Sequence, residues 1–394
     1  LQLLYELETL QLVLACMEFY GVAFDLNMAR VEMERIDKEV GRLMQLVYQE
    51  VGRVCNFMSP VQVASVLNSC NLTHNNQPVV FKCGQMVVNI PDNAILYTST
   101  DDKLLSVFSN NVIVSHILRG RALLKEKSLI SSYIEALDSN GRIHTSFNVV
   151  GKYVDGRPGA RTGRLTSKDP NMQAVRRSDD IVRLRDLFRV GRGKVLIYAD
   201  YSQQEIRALA AASGDRRMLQ ALSGDLHGET AQHLFGSRDK ECRSKAKRIN
   251  FAQIYGAGVS KIADVCGVDD KTAREILDRW RKMFPDVYRL ARMKSEEMHK
   301  YGGVRTVRGR FIAKASQDDD YKGLSYFIQG SCADIMNTAV CDIFNLLRRR
   351  FDGAKLVLQV HDSVLVEADE RHLGMGVVDA IAGAMIDVPR RLGY

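Results

Sequence analysis

Two acids sit at the ends of apolar, strand-like runs, and they constrain this chain more than any other feature. Val195-Leu196-Ile197-Tyr198-Ala199 ends in Asp200 and passes directly into a helical pattern of Ile206, Leu209 and Ala210. That is strand, turn, helix. Far downstream, Leu356-Val357-Leu358-Gln359-Val360 and Val364-Leu365-Val366 flank His361-Asp362-Ser363, which reads as a hairpin with an acid in its turn. Each Asp is held on rigid backbone and faces solvent. Two such carboxylates side by side repel unless a divalent cation lies between them. Mg²⁺ suits that place, because it takes a few carboxylates plus substrate phosphate oxygens rather than a full protein cage. Two ions roughly 3.5–4 Å apart can activate an attacking hydroxyl and stabilise a leaving phosphate. Read singly, each Asp is an ordinary turn residue, so the pair takes its meaning from what lies between.

From Arg243 to Gly256 the sequence is RSKAKRINFAQIYG, in which Arg243, Lys247, Phe251 and Tyr255 recur every four residues. At 3.6 residues per turn each step drifts by about 40°, so the four form one slowly winding stripe from two cations to two aromatics. That order suits a nucleoside triphosphate, with charge for the phosphates and ring surface for sugar and base. Ser237 or Asp239 can cap the start, and Gly256 suits the end. The alternative is a solvated basic face running into a core-facing aromatic stripe. Cations also cluster locally, six against two acids between Arg238 and Arg248 and seven against three between Arg176 and Lys194. The net charge of +8, from 55 Lys and Arg against 47 Asp and Glu, therefore understates the patches available to a polyanion.

The rest of the chain supplies context. Its 394 residues exceed one small core and imply several lobes. Residues 1–50 read as helix, with Leu4, Leu7, Leu10, Leu14 and Met17 at helical spacing and a second amphipathic run over about 27–50. Residues 71–93 are polar and β-leaning without a period, and read as a mobile excursion. Residues 110–138 return to helix, 142–174 suggest short strands and loops, and 215–300 are strongly helical. No run of 18 apolar residues appears, so no membrane span is expected. The eight cysteines lie far apart with no CxxC pair, which argues against a zinc site or disulfide framework and for a reducing compartment. The chain begins at Leu1, so a fragment or processed product is expected.

These motifs resemble the polymerase region of the family A DNA polymerases, the bacterial DNA polymerase I type. Asp200-Tyr201-Ser202-Gln203-Gln204-Glu205-Ile206-Arg207 is similar to that family's DYSQIELR motif. The run Arg243 to Gly256 matches RxxxKxxxFxxxYG without a gap, and Val360-His361-Asp362 matches the second acid motif. Thr162-Gly163-Arg164-Leu165-Thr166-Ser167 with Asp169-Pro170-Asn171-Met172-Gln173 resembles TGRLSSxDPNLQ, and Ile328-Gln329-Gly330 through Ala333-Asp334-Ile335 resembles QGxAADI. Met17-Glu18 to Asp25 and Asn56 to Gln62 are similar to thumb segments. The resemblance spans about 17–368, most weakly at 65–140.

The resemblance implies an α+β right-hand polymerase fold, with an antiparallel palm sheet and helical fingers and thumb. Residues 1–25 would be a linker helix, 26–150 the thumb, 151–206 and 321–394 the two parts of the palm, and 207–320 the fingers. The activity implied is template-directed addition of deoxynucleotides to a primer 3′-hydroxyl, with pyrophosphate released. Asp200, Asp362 and the Tyr201 carbonyl would hold two Mg²⁺, with Mn²⁺ able to substitute. Arg243, Lys247 and His227 would bind the triphosphate, with Lys247 the proton donor to pyrophosphate. Gln203 would join the nucleotide site, Glu205 would occupy the space a ribose 2′-hydroxyl needs, and Tyr255 would stack near the templating base. Phe251 stands where the family's Phe/Tyr choice sets dideoxynucleotide use. Arg164, Asn171, Gln173, Gln329 and His361 would contact the duplex without reading its sequence. The partners implied are primer–template DNA and dNTP for a monomer with no membrane attachment, in bacterial or phage-infected cytoplasm or in a eukaryotic organelle or nucleus.

Four positions depart from the family pattern. Gln204 replaces an apolar residue, Ser363 replaces Glu after His-Asp, and Tyr321 and Ser325 stand where Arg and Asn are expected. The family's last strand is expected to be truncated or missing near Tyr394, and an editing exonuclease would lie upstream, outside this chain. Ser363 is shared with the single-subunit RNA polymerases, the nearest rival, but Glu205 and DYSQ argue for a deoxynucleotide site. A non-catalytic DNA-binding homologue would be expected to have lost one of the acids.

Overall fold

The computed structural model describes residues 2–84, 90–149, 160–175 and 183–394, with the side chains of 2–6 left out. The chain divides into two compact units. One comprises residues 1–21, 145–173 and 190–394; the other comprises 22–144 and 174–189.

The smaller unit is built on two long helices, Leu26–Val51 and Val112–Glu135, packed against each other. The first starts where the Asp25 carboxylate accepts from the Met28 amide at 2.9 Å, and it ends at Gly52 in the left-handed conformation. Ile36, Val40, Leu43 and Val47 bury one face of it, with Ile117, Leu123 and Ile130 buried on the partner helix. Residues 1–50 are therefore helical as expected, but not continuously. The helix Gln2–Tyr20 stops before Gly21, whose φ is +62°, and Val22–Ala23 forms a short strand.

The β-leaning stretch 71–93, read as a mobile excursion, holds two strands of a three-stranded sheet that Ile95–Tyr97 completes. Thr73–His74 pairs antiparallel with Gln77–Phe81, which pairs in parallel with Ile95–Tyr97. Part of that stretch, residues 85–89, lies outside the described residues. Arg121, a buried cation in the second long helix, ties together the segments around Phe57 and Thr100. Its Nε donates to the Phe57 carbonyl at 2.6 Å, its Nη1 to the Thr100 carbonyl and to Asp102, and its Nη2 to Thr100 Oγ1 at 3.2 Å. Removing the guanidinium leaves two buried carbonyls unanswered. Arg121→Met is expected to lower stability by about 3 kcal/mol, read from urea or thermal unfolding.

The larger unit carries the two acid motifs on one antiparallel sheet. Ser363–Asp369 is the central strand, flanked by Lys355–Val360 and by Lys194–Asp200. The helices Gln2–Tyr20, Gly323–Arg350 and Val377–Arg391 supply Leu10, Val13, Phe344, Val340, Ile381 and Met385 to its core, against Ile197, Val364 and Val366. The central strand is buried on both faces, which explains the apolar run Val364-Leu365-Val366, and it buries Ser363 and Glu367 as well. A second core belongs to the helices between Gln204 and Tyr301, where Leu209, Ile249, Leu277, Trp280 and Phe284 meet. The expected strong helicity of 215–300 is what the structure shows.

Candidate active site

The sheet register brings the two acids to one end. Ser363 pairs with Asp200 across the strands, so Asp362 in the hairpin turn lies beside Asp200. The Tyr201 amide donates to the Asp362 carbonyl at 3.0 Å and fixes the two segments together. Burial raises the Asp362 carboxyl above its ordinary value, and the neighbouring Asp200 charge raises it further. Asp200 is the more exposed of the two and accepts from the Tyr198 hydroxyl at 2.7 Å. The donors on offer are two carboxylates, hard oxygen ligands, whose mutual repulsion Arg164 and His361 offset only in part. That set fits a cation which completes its shell with substrate oxygens.

The turn also explains Ser363. Its hydroxyl donates to the Val360 carbonyl at 2.8 Å and is almost fully buried, so it closes the hairpin that presents Asp362. His361 stands in the same turn at φ +54° and is exposed. Gln204, at the start of the helix Gln204–Ser213, donates to the Cys332 carbonyl at 3.4 Å, so a polar contact replaces apolar packing there. Gln203 precedes that helix in the left-handed conformation and is exposed.

The helix Lys240–Ile254 begins at Asp239, which accepts from the Cys242 amide at 2.8 Å, while Ser237 donates to the Asp239 carboxylate. The helix ends with Tyr255 at its C-cap and Gly256 at φ +70°. A Cβ at Gly256 would lie 2.6 Å from the Tyr321 carbonyl oxygen. Gly256→Ala is therefore expected to cost about 2 kcal/mol or more from left-handed strain and this clash, read as a lower melting temperature.

The stripe along this helix meets different partners at its two ends. At the cationic end Arg243 is engaged, with Nε and Nη2 held by the Asp225 carboxylate at 2.9–3.2 Å. Lys247 is exposed and, among the described residues, has no ion-pair partner. His227 is buried beside Phe251, ring centres 6.1 Å apart. Burial lowers its pKa, as do Arg243 and Lys247. At the aromatic end the Tyr255 hydroxyl donates to Glu205 Oε2 at 2.9 Å, and Arg164 pairs with Glu205 Oε1. Burial and the Glu205 charge push the Tyr255 hydroxyl up to about 12, and Gln329 also bonds to it. Gln329 donates in turn to Ser325 Oγ at 3.3 Å, so Ser325 is a partner of this cluster.

Asn171 and Gln173 form a separate group. Asn171 Oδ1 accepts from the Gln173 amide at 3.0 Å, and Gln173 Nε2 reaches the carbonyl and side chain of Gln359 at 3.2 and 3.1 Å. Three partners escape a sequence reading. Tyr198 lies two residues before Asp200 on the same strand face, a spacing that could have revealed it. Asp225 comes from another element and no spacing rule points to it, and Asn250, on the core face of the helix Lys240–Ile254, bonds His227 and Thr230 across the fold.

A sheet that pairs two acids, together with a cation–aromatic helix in the same unit, fits an α+β polymerase fold. Residues 27–389 match the family described as DNA polymerase family A. Among relatives, DNA polymerase I of Chloroflexus aurantiacus is 30% identical over 386 residues, covering 91% of this chain and 38% of the relative. DNA polymerase I of Mycobacterium bovis is 30% identical over 412 residues, covering 98% of this chain and 43% of the relative. A solved structure described as the POL domain of Pol1 from M. smegmatis, in complex with DNA primer-template and dNTP, superimposes with a TM-score of 0.81 at 26% identity. It covers 96% of this chain and 66% of that one. The chain belongs to the family A DNA polymerases. It spans about two-fifths of the length of these DNA polymerase I relatives. The family resemblance and the expected α+β polymerase fold are thus borne out, and family membership brings a general dependence on divalent metal. No helix among the described residues is long and apolar enough to cross a membrane.

Proposed function

We propose that this chain is the polymerase module of a template-directed DNA polymerase, adding deoxynucleotides to a primer 3′-hydroxyl and releasing pyrophosphate. The observation that carries this is the register that sets Asp362 beside Asp200, with the Arg243–Tyr255 stripe joined to the segment after Asp200 by the bond from Tyr255 to Glu205. The neighbouring solved structure holds DNA primer-template and dNTP, which supports the same partners here.

Asp200, Asp362 and the Tyr201 carbonyl would hold two Mg²⁺. When bound, the ions supply charge neutralisation for the triphosphate and acidify the attacking hydroxyl. The chain's own residues do the rest. Lys247, exposed and without an ion-pair partner among the described residues, contacts the phosphates and donates a proton to the leaving pyrophosphate. Arg243 exchanges its Asp225 carboxylate for phosphate oxygens of similar geometry. His227 adds a phosphate contact, and Gln203 borders the nucleotide. Glu205 excludes a 2′-hydroxyl, and Tyr255 offers its ring to the templating base. Arg164, Asn171, Gln173, Gln329 and His361 position the duplex. Residues 26–150 act as thumb, 151–206 and 321–394 as palm, and 207–320 as fingers, with 1–25 as linker.

Phe251→Tyr is expected to increase dideoxynucleotide incorporation by more than tenfold at unchanged deoxynucleotide use, measured as a ratio of kcat/KM values. An unchanged ratio removes Phe251 from that role. The proposal as a whole is tested by primer extension with deoxy- or ribonucleotides. Faster extension with ribonucleotides would favour an RNA polymerase, the reading that Ser363 shares.

A further inference from the structure

The core face of the cationic helix carries a buried polar chain. Asn250 lies next to Phe251 but points away from solvent and is 2% exposed. Trp280, the one tryptophan of the sequence, donates its indole N–H to Asn250 Oδ1 at 2.8 Å. Asn250 Nδ2 lies 3.1 Å from Thr230 Oγ1 and 3.1 Å from His227 Nδ1. All four residues are buried.

We propose that Asn250 is a positioning residue: locked by Trp280, it holds His227 as a neutral ring with its proton on Nε2, ready to donate to a nucleotide phosphate. The inference rests on the reading of His227 as a phosphate contact. The direction of each bond follows from chemistry. An indole N–H can only donate, so the atom facing Trp280 is the amide oxygen and the amide NH₂ faces the other way. Thr230 gives its own proton to the Leu226 carbonyl at 2.7 Å, which leaves its oxygen free to accept from Nδ2. The second amide hydrogen is directed at His227 Nδ1, which must therefore carry a lone pair. The ring proton is left on Nε2, across the ring from Asn250. An imidazolium would set N–H against N–H in a buried place, which costs the full penalty of an unmet donor.

The charged groups facing His227 act with this lock in the main. Arg243 and Lys247 disfavour the imidazolium, as burial does, and Asp225 alone opposes them. A neutral donor also suits the site, since Arg243 and Lys247 already bring positive charge and His227 then binds with the same strength throughout neutral pH.

The test is a long-range ¹H–¹⁵N correlation spectrum of the full chain labelled at histidine, recorded at pH 7 without nucleotide. His227 is expected to show a protonated Nε2 and a bare Nδ1. Asn250→Asp replaces the donor by an acceptor, so His227 is expected to gain a proton on Nδ1 and the dNTP KM to become pH-dependent near neutrality. Trp280→Phe keeps most of the ring volume but frees the amide, and is expected to raise the dNTP KM by about 3- to 10-fold with kcat little changed, the scale of one neutral hydrogen bond. An Nδ1–H tautomer or an imidazolium in the wild type overturns the inference, whatever the kinetics. An Nε2–H tautomer combined with an unchanged KM in His227→Ala upholds the lock and refutes the phosphate contact instead.

Discussion

Replacing Asp362 by Asn is expected to lower primer extension by about 10³-fold or more while primer–template affinity stays nearly unchanged, the scale seen when one preorganised charge-stabilising group is lost. Asn is isosteric with Asp, and the bond that holds this turn in place runs from the Tyr201 amide to the Asp362 backbone carbonyl, not to its side chain. The Ser363 hydroxyl still closes the hairpin on Val360. What the substitution removes is charge. Stability should not suffer, and the sign can be worked out. Burial and Asp200 raise the Asp362 carboxyl above its ordinary value, so at neutral pH its ionised form opposes folding. An amide there leaves the melting temperature unchanged or higher. Asp200→Asn should lose activity similarly, although it also gives up part of the contact from Tyr198. Single-turnover extension and equilibrium DNA binding on the same preparations separate the cases. Substantial extension by either variant would remove the acid pair from catalysis.

The second large effect concerns sugar selection. Glu205→Ala is expected to raise ribonucleotide incorporation relative to deoxynucleotide on the order of 10²-fold, the scale at which a closed pocket rejects a substrate carrying one extra hydroxyl. The side chain can act as a barrier because it is pinned on both oxygens, by Arg164 at Oε1 and by the Tyr255 hydroxyl at Oε2. A carboxylate held from two sides cannot swing away from an incoming hydroxyl. By the same reasoning Tyr255→Phe, which releases one side only, should relax selection less than Glu205→Ala does. The measurement is the ratio of kcat/KM for matched ribo- and deoxynucleotides in each variant. Equal ratios in wild type and Glu205→Ala would exclude Glu205 from the role.

The parts of the fold that could be read from sequence are those where one period dominates. The hairpin around Asp362 was legible because its central strand is buried on both faces, and the strand ending in Asp200 because a short apolar run gives way at once to a helical pattern. The stripe from Arg243 to Tyr255 was legible because a single helix carries it. The sheet of residues 73–97 was legible only as a β-leaning stretch, because its strands are too short to show a period and its third strand pairs in parallel across an intervening segment. Gly21 interrupts a helical pattern that otherwise continues on both sides. In the site, sequence spacing exposed the residues of the solvent-facing stripe and left out what supports them. Asp225, which occupies Arg243, and Trp280, which orients Asn250, come from other elements. Such long-range polar partners follow no period. Ser363 read as a lost acid, whereas its place in the fold is that of a turn hydroxyl.

The most direct test of the central claim is extension of one defined primer–template in Mg²⁺, with each of the four deoxynucleotides supplied alone. Extension by the deoxynucleotide complementary to the templating base, at a rate well above the other three and changing identity when that base is changed, is the predicted result. Extension indifferent to the templating base, or none with any deoxynucleotide under conditions where the chain binds the DNA, would contradict it.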